Sequence, residues 1–193
     1  MILNERCLRN EHLQLVVRQM ATAARTAPKG KGWDILEIIV VDGNEIVSLS
    51  EKMKEIASVR NLNFFIRDAE NILLAEAILI IGTRNQNLGL NCGYCGFATC
   101  AEKDSHANVT CALNVTDVGI AIGSATATAA DWRVDSRVMF SVGLAAKELG
   151  WLNGCNAVYG IPISASSKNP FFDRVSTKPV VCSVNEVNTT RAN

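Results

Sequence analysis

The chain has few of the side chains on which many hydrolases depend. It contains two histidines among 193 residues, so a Ser-His-Asp or Cys-His arrangement has little to draw on. Its 19 basic and 19 acidic side chains cancel, which leaves no positive excess to neutralise the phosphates of a nucleic acid. We therefore expect neither a triad hydrolase nor a nucleic-acid partner.

A long apolar run is also missing. The most apolar stretch, residues 72–81, is interrupted by Glu76 and falls far short of the roughly 20 residues that span a bilayer. Residues 1–7 show neither the apolar core nor the small-residue cleavage site of a signal peptide. The expectation is a cytoplasmic protein without a membrane span.

Cysteine, by contrast, is plentiful, with seven in the chain. An odd number is poor material for a disulfide framework in the cytoplasm, which keeps thiols reduced. Four of the seven fall within twenty residues, in the spacing C-x2-C-x4-C-x10-C: Cys92, Cys95, Cys100 and Cys111. This clustering predicts that the four bind a metal centre. We read the other three cysteines as free thiols.

Two metal centres fit four thiolates, a [4Fe–4S] cluster and a tetrahedral zinc ion. The two-residue gap between the first two cysteines lets both converge on one centre, and Gly93 and Gly96 suit the turns of such a loop. Structural zinc sites made of four cysteines usually have two such pairs, whereas this segment has one. The spacing therefore favours the cluster. Phe97 and Tyr94 are placed to shield it from solvent, or to pack within the loop.

Hydrophobic periodicity gives a coarse map of the chain. It predicts helices over residues 10–26, 46–56, 67–74, 115–131 and 134–149, and strands over 36–41, 77–81, 156–163 and 179–184. The third clustered cysteine is expected to open a further helix. The elements follow no regular βαβ cadence, which predicts an α+β fold with a mixed sheet flanked by helices. We read residues 1–193 as one domain that contains the cysteine-rich segment 84–114.

One predicted helix carries small residues at four-residue spacing: Gly119, Gly123 and Ala127. Such a stripe lets another backbone or a flat cofactor approach closely. Tight helix packing is the commoner use of this pattern, and it is the interpretation we favour.

The run around the first three cysteines, residues 91–100, resembles the CGxCG-x3-C ligand segment of several [4Fe–4S] proteins. Together with residues 117–124, 131–137 and 160–169, it resembles the uncharacterised bacterial and archaeal ferredoxin-domain proteins of the DUF2148 type. The resemblance extends from about residue 24 to residue 174. It implies an iron–sulfur protein whose reaction is not established.

Residues 23–33, followed by a predicted strand, are similar to the "A-x2-APS-x2-N-x-QPW" segment of FMN-dependent nitroreductases. This resemblance implies a nitroreductase-like α+β fold, a homodimer and FMN as a second cofactor. Lys29 stands where the nitroreductase pattern has serine. Lys29, Gly30 and Lys31 form a glycine-rich loop that is a candidate for holding a phosphate or the flavin, and a solvated loop is the alternative.

These observations predict a redox or electron-transfer protein with one [4Fe–4S] cluster, whose partner is a redox protein or a small-molecule substrate. If the chain is an enzyme, it is an oxidoreductase of the nitroreductase type, and no catalytic residue is assigned. The alternative is a non-enzymatic structural or interaction domain with a four-cysteine Zn2+ site.

Overall fold

The computed structural model describes residues 2–172. These contain the helices α1 (Glu5–Thr26), α2 (Asn44–Arg60), α3 (Phe64–Ile72), α4 (Cys100–Asp104), α5 (Ala112–Asp131) and α6 (Phe140–Glu148). The strands are β1 (Leu36–Val41), β2 (Ala77–Arg84), β3 (Asp135–Ser136) and β4 (Cys155–Ser164). The predicted strand at residues 179–184, with Cys182, lies outside the described residues. No helix in the described part is long and apolar enough to cross a membrane.

The four strands form one sheet in the order β1-β2-β4-β3, and every pairing within the described residues is antiparallel. Within residues 2–172 the sheet is therefore antiparallel and not mixed as expected. β1 joins β2 through α2 and α3, and β3 joins β4 through α6, and each of these connections returns the chain beside its neighbour in the opposite direction. The α+β class itself is confirmed.

The sheet lies between two helical layers, and the alternation of side chains along β2 explains why. Ile78 and Ile80 join a core with α2, α3 and α6, whereas Leu79 and Ile81 join a second core with α1 and α5. Because successive strand residues point to opposite faces, one continuous apolar run serves both cores. A strand that is buried on both faces is therefore apolar throughout.

The predicted helix at residues 134–149 is wrong at its beginning. Asp135 and Ser136 form β3 and pair with Ser164 and Ile163 of β4, so the helix begins only at Phe140. Backbone pairing with a distant strand outweighs the local helical spacing here. The predicted end is confirmed: the helix ends at Glu148, and Gly150 follows it with a φ of 77°, the left-handed conformation that favours glycine after a helix.

The small-residue stripe of α5 does not pack against another helix of the described chain. A side-chain Cβ at Gly119 or Gly123 would meet nothing within 4 Å among the described residues. The described residues therefore do not supply the tight packing that the stripe predicts, and this interpretation stays a prediction. Instead, α5 buries Val118, Ala121 and Ala125 against α1 and turns the stripe outward.

Candidate metal centre

The four clustered cysteines line one cavity at the end of β2. The cavity is small, about 10 Å3, and lies between the loop after β2, α4 and the start of α5. Cys92 is exposed, Cys95 and Cys100 are half-buried and Cys111 is buried. The fold thus brings together the four residues that the spacing selected.

Left-handed backbone positions shape the first part of the segment. Gly93 and Gly96 have φ values of 74° and 89°, which a residue with a Cβ rarely adopts. The amide of Gly96 donates to the carbonyl of Gly93 at 2.9 Å and closes a turn between Cys92 and Cys95. Glycine at both positions therefore allows two thiols of the segment to line the same cavity.

Cys100 is the first residue of α4, as the sequence predicted, and two capping interactions hold it there. The Thr99 hydroxyl accepts from the amide of Glu102 at 3.1 Å, and the Glu102 carboxylate accepts from the amide of Ala98 at 3.1 Å. The Asn91 side chain accepts from the amide of Cys100 at 2.8 Å, and the amide of Asn91 donates to the Cys100 sulfur at 3.4 Å. A ligand sulfur that already accepts an N–H is typical of iron–sulfur sites.

Cys111 begins the twenty-residue helix α5, and Asn85 fixes its backbone. The Asn85 side-chain oxygen accepts from the amide of Cys111 at 3.3 Å. The same side chain donates to the carbonyl oxygens of Ala107 at 3.1 Å and Val109 at 3.0 Å. One asparagine at the end of β2 thereby orders the segment between the third and fourth cysteines. The positive end of the α5 dipole favours negative charge at this position.

Lys103 lines the same cavity, and its ammonium is buried beside Asn85 and Asp104, which border a neighbouring pocket. Its side chain is 2% exposed and its ammonium donates to Asn85 Oδ1 at 2.7 Å. Among the described residues that line the cavity, it is the one cationic side chain. A buried ammonium needs negative charge or hydrogen-bond acceptors nearby, and the Asn85 oxygen and the Asp104 carboxylate, the latter at 3.3 Å, supply them.

The aromatic side chains of the segment divide between two roles. Phe97 lines the cavity and packs against the ring of His106, with ring centroids 4.8 Å apart. Tyr94 is 78% exposed and does not line the cavity, so the expected shielding applies to Phe97 alone. His106 contacts the Glu102 carbonyl through Nδ1 and is not among the residues that line the cavity.

The cysteines are spread around the cavity and do not converge on a point. No three histidine, cysteine, aspartate or glutamate side chains in residues 2–172 are grouped closely enough to hold a single metal ion. Zinc–sulfur bonds of about 2.3 Å would require four sulfurs about 3.8 Å apart. The cysteines of a [4Fe–4S] cluster bind four different irons, so their sulfurs stand further apart. The described residues therefore contain no preformed site for a single metal ion among the four cysteines.

The remaining described cysteines lie away from this cavity. Cys7 is exposed on α1, whereas Cys155 is buried in β4. Burial raises the pKa of the Cys155 thiol, and the charge of Glu37 acts in the same direction against Arg84 and Lys147. Cys155 is therefore a small core residue.

In the glycine-rich loop, Lys29 turns back onto its own helix. Its ammonium donates to the carbonyl oxygens of Arg25 at 2.5 Å and Ala27 at 2.9 Å, and the side chain is 5% exposed. These bonds satisfy carbonyl groups at the end of α1. The ammonium is thus engaged within the chain and is not presented at the surface.

The neighbouring residues of this loop join it to α5 and to the cysteine segment. The amide of Gly30 donates to both carboxylate oxygens of the buried Asp117, at 3.0 and 3.1 Å. The Lys31 ammonium donates to the carbonyl of Leu88 at 3.1 Å. A carboxylate on the Gly30 amide occupies the position that a phosphate would need and repels an anion. As arranged, Lys29 and Gly30 do not fit a phosphate.

Three residues of the site were not selected from the sequence: Asn85, Asn91 and Lys103. The loop after β2 carries no ligand pattern in the sequence, although its asparagines at 85 and 91 are suited to turns and to capping nearby amides. The sequence does not predict that Lys103 is buried, because a lysine in a short charged helix is normally solvated.

Comparisons with known proteins give the chain its relatives. The family model described as "Uncharacterized protein containing a ferredoxin domain (DUF2148)" matches residues 107–174, which include Cys111 but not the other three clustered cysteines. An uncharacterized protein from Archaeoglobus fulgidus is 41% identical over 186 residues, covering 92% of this chain and all of that protein.

Solved structures with a similar fold include proteins with bound FMN. A nitroreductase with bound FMN from Desulfitobacterium hafniense has a TM-score of 0.55 and 16% identity, covering 80% of this chain and 78% of that one. A nitroreductase with bound FMN from Bacteroides fragilis has a TM-score of 0.56 and 11% identity, with coverages of 86% and 84%. A BluB-like flavoprotein from Clostridium difficile has a TM-score of 0.52 and 17% identity, with coverages of 86% and 85%. At these identities the likeness shows a nitroreductase-like fold.

Proposed function

Because the chain belongs to the family of uncharacterized proteins containing a ferredoxin domain (DUF2148), we propose that it is a redox protein that carries one [4Fe–4S] cluster. Its ligands are Cys92, Cys95, Cys100 and Cys111. When bound, the cluster supplies one-electron redox chemistry. The observation that carries the proposal is the single cavity lined by all four thiols.

The surroundings of the cavity supply what a cluster needs from a protein. Each thiolate must be held in place, and the turns at Gly93 and Gly96 and the starts of α4 and α5 provide that support. The amide of Asn91 donates to one ligand sulfur, and such bonds help to set the reduction potential. Phe97 covers part of the cavity and lowers its contact with water.

The exposed side of the segment is where electrons would enter or leave. Cys92 is exposed, and Leu90 and Tyr94 beside it present 49% and 78% of their surfaces to solvent. A redox protein or a small-molecule substrate can approach the cluster from this side, since no described layer of the fold covers it. We assign no substrate.

FMN is the second cofactor to consider, because two of the similar structures contain it. The loop that resembles the nitroreductase segment engages Lys29 with α1 and the Gly30 amide with Asp117. Its groups therefore do not fit a flavin phosphate, and we route no reaction step through flavin. The nitroreductase-like fold then serves as a scaffold that holds the cysteine segment.

A Cys95→Ser variant separates the cluster from the zinc alternative. We expect anaerobically purified wild type to show a broad visible absorption band, and Cys95→Ser to lose it while its far-ultraviolet circular dichroism is retained. A colourless wild type, together with unfolding of the variant, would instead indicate structural zinc. Cys155→Ser is the matched control: this thiol lies outside the cavity, so the band should persist.

A further inference from the structure

We propose that Lys103 is the residue that sets the charge around the cluster and so raises its reduction potential. This inference rests on the proposed function, since it concerns the same cavity. Lys103 has no part in ligand spacing, and no sequence motif selects it. Its role follows from its burial, its hydrogen bonds and the composition of the cavity.

Two anchors fix the position of the Lys103 ammonium. On one side it donates to Asn85 Oδ1 at 2.7 Å, the same oxygen that accepts from the amide of Cys111. On the other it lies 3.3 Å from a carboxylate oxygen of Asp104, whose side chain is 47% exposed. The Asn85 side chain thus fixes both the Lys103 ammonium and the backbone of Cys111, the proposed fourth ligand.

The charge balance around the cavity points to a role for this cation. Four thiolates and a cluster would carry net negative charge. Lys103 is the one basic residue among the described residues of the lining, and its ammonium is buried beside Asn85 and Asp104, which border the neighbouring pocket. Asp104 neutralises it only in part, because solvent screens an exposed carboxylate. A buried ammonium interacts more strongly with a nearby charge than a surface ammonium does.

The direction of the effect follows from the reaction. Reduction adds one electron to the cluster and makes it more negative, so a nearby positive charge stabilises the reduced form more than the oxidised form. Net charge and burial are among the factors that set cluster potentials. Removal of the Lys103 charge should therefore lower the potential.

Three substitutions distinguish charge from packing. Lys103→Met keeps the unbranched side chain and removes the charge, Lys103→Gln keeps a donor for Asn85 without the charge, and Lys103→Arg keeps the charge. Lys147→Met is the matched control, because it makes the same change in net charge on α6 and Lys147 does not line this cavity.

The measurement is a redox titration of anaerobically purified full-length protein, followed by visible absorption and electron paramagnetic resonance, with iron and acid-labile sulfide determined for each sample. We expect Lys103→Met and Lys103→Gln to shift the equilibrium at least tenfold toward the oxidised form, which is about 59 mV for a one-electron couple. Lys103→Arg and Lys147→Met should stay within threefold of wild type.

Loss of the cluster from Lys103→Met and Lys103→Gln, with its retention in Lys103→Arg, would also support the role of the charge. Fully loaded neutral variants with an unchanged potential would overturn the Lys103 proposal and leave the cluster proposal intact. Equal loss of the cluster from all three Lys103 variants would likewise overturn it, because packing would then be the cause. A wild type without acid-labile sulfide would remove both proposals.

Discussion

At the scale of single residues, the described cysteines fall into groups that their surroundings define. Cys111 lines the cavity because it lies at the start of α5, whereas Cys155 is buried in the core that includes residues of α6. Gly82 on β2 leaves room for this thiol, since a Cβ there would lie 3.1 Å from the Cys155 sulfur. Identical side chains thus have different chemistry because of where the backbone places them.

This difference predicts the order in which the thiols react. Alkylation requires the thiolate, and burial raises the pKa of Cys155 above its ordinary value, so little thiolate forms near neutral pH. Native protein treated with iodoacetamide at pH 7.5 should be labelled at Cys7 at least tenfold faster than at Cys155, as peptide mass spectrometry would report. Unfolding in guanidinium should equalise the two rates. Equal rates in the native protein would contradict the buried position of Cys155.

The site also shows, residue by residue, what a sequence can reveal. The grouping of the four clustered cysteines around one cavity was predictable, because their spacing is local. Lys103 was not, since its burial depends on Asn85, which lies 18 residues earlier on another element. The hydrogen bond from the Gly30 amide to Asp117 joins residues that are 87 positions apart, so the sequence could not predict it either. A side chain whose role depends on a tertiary contact leaves no pattern in the sequence around it.

At the scale of elements, helix α5 presents a face without charge. Its exposed residues between Cys111 and Asp131 are small or apolar or carry a hydroxyl, and they include Val115, Ile120 and the stripe of Gly119, Gly123 and Ala127. A large exposed apolar face is unusual for an isolated domain and typical of an interface. We propose that this face packs against the same face of a second copy, as the homodimer implied by the nitroreductase resemblance would require.

The proposed dimer predicts unequal effects for two similar isoleucines. Ile120 on α5 and Ile66 on α3 are 42% and 43% exposed. Ile120→Asp should convert the dimer to a monomer in analytical ultracentrifugation at micromolar concentration, because it buries a carboxylate in the interface. Ile66→Asp should remain a dimer. A wild type that sediments as a monomer, or two variants that behave alike, would contradict the assignment of this face.

Helix and strand boundaries show where local patterns fail. The sequence predicts β2 from its apolar run and α2 from the spacing of its apolar residues. Both are recognisable because the side chains that an element buries recur with the period of that element. The segment at residues 134–139 has helical spacing as well, yet it pairs with β4 through Ser136 and Met139. A short edge strand is defined by its neighbour, and no single stretch of sequence contains that information.

At the scale of the whole molecule, the fold and the cysteine segment contribute different things. The sheet and its two cores give the nitroreductase-like scaffold. The segment between β2 and α5 is joined to it by hydrogen bonds from Lys31 to the Leu88 carbonyl and from the Gln86 amide to Asn114. Leu88 is buried under the glycine-rich loop, and a Cβ at Gly30 would lie 2.5 Å from Leu88 Cδ1, so the leucine side chain would have to shift. The loop that resembles a flavin-binding segment is thus tied to the cysteine segment instead.

The central claim is a [4Fe–4S] cluster on four named cysteines. Its most direct test is the iron, acid-labile sulfide and zinc content of protein that is purified without oxygen. We expect about four irons and four sulfides per chain and no stoichiometric zinc. One zinc per chain with no acid-labile sulfide would contradict the claim and establish the structural alternative.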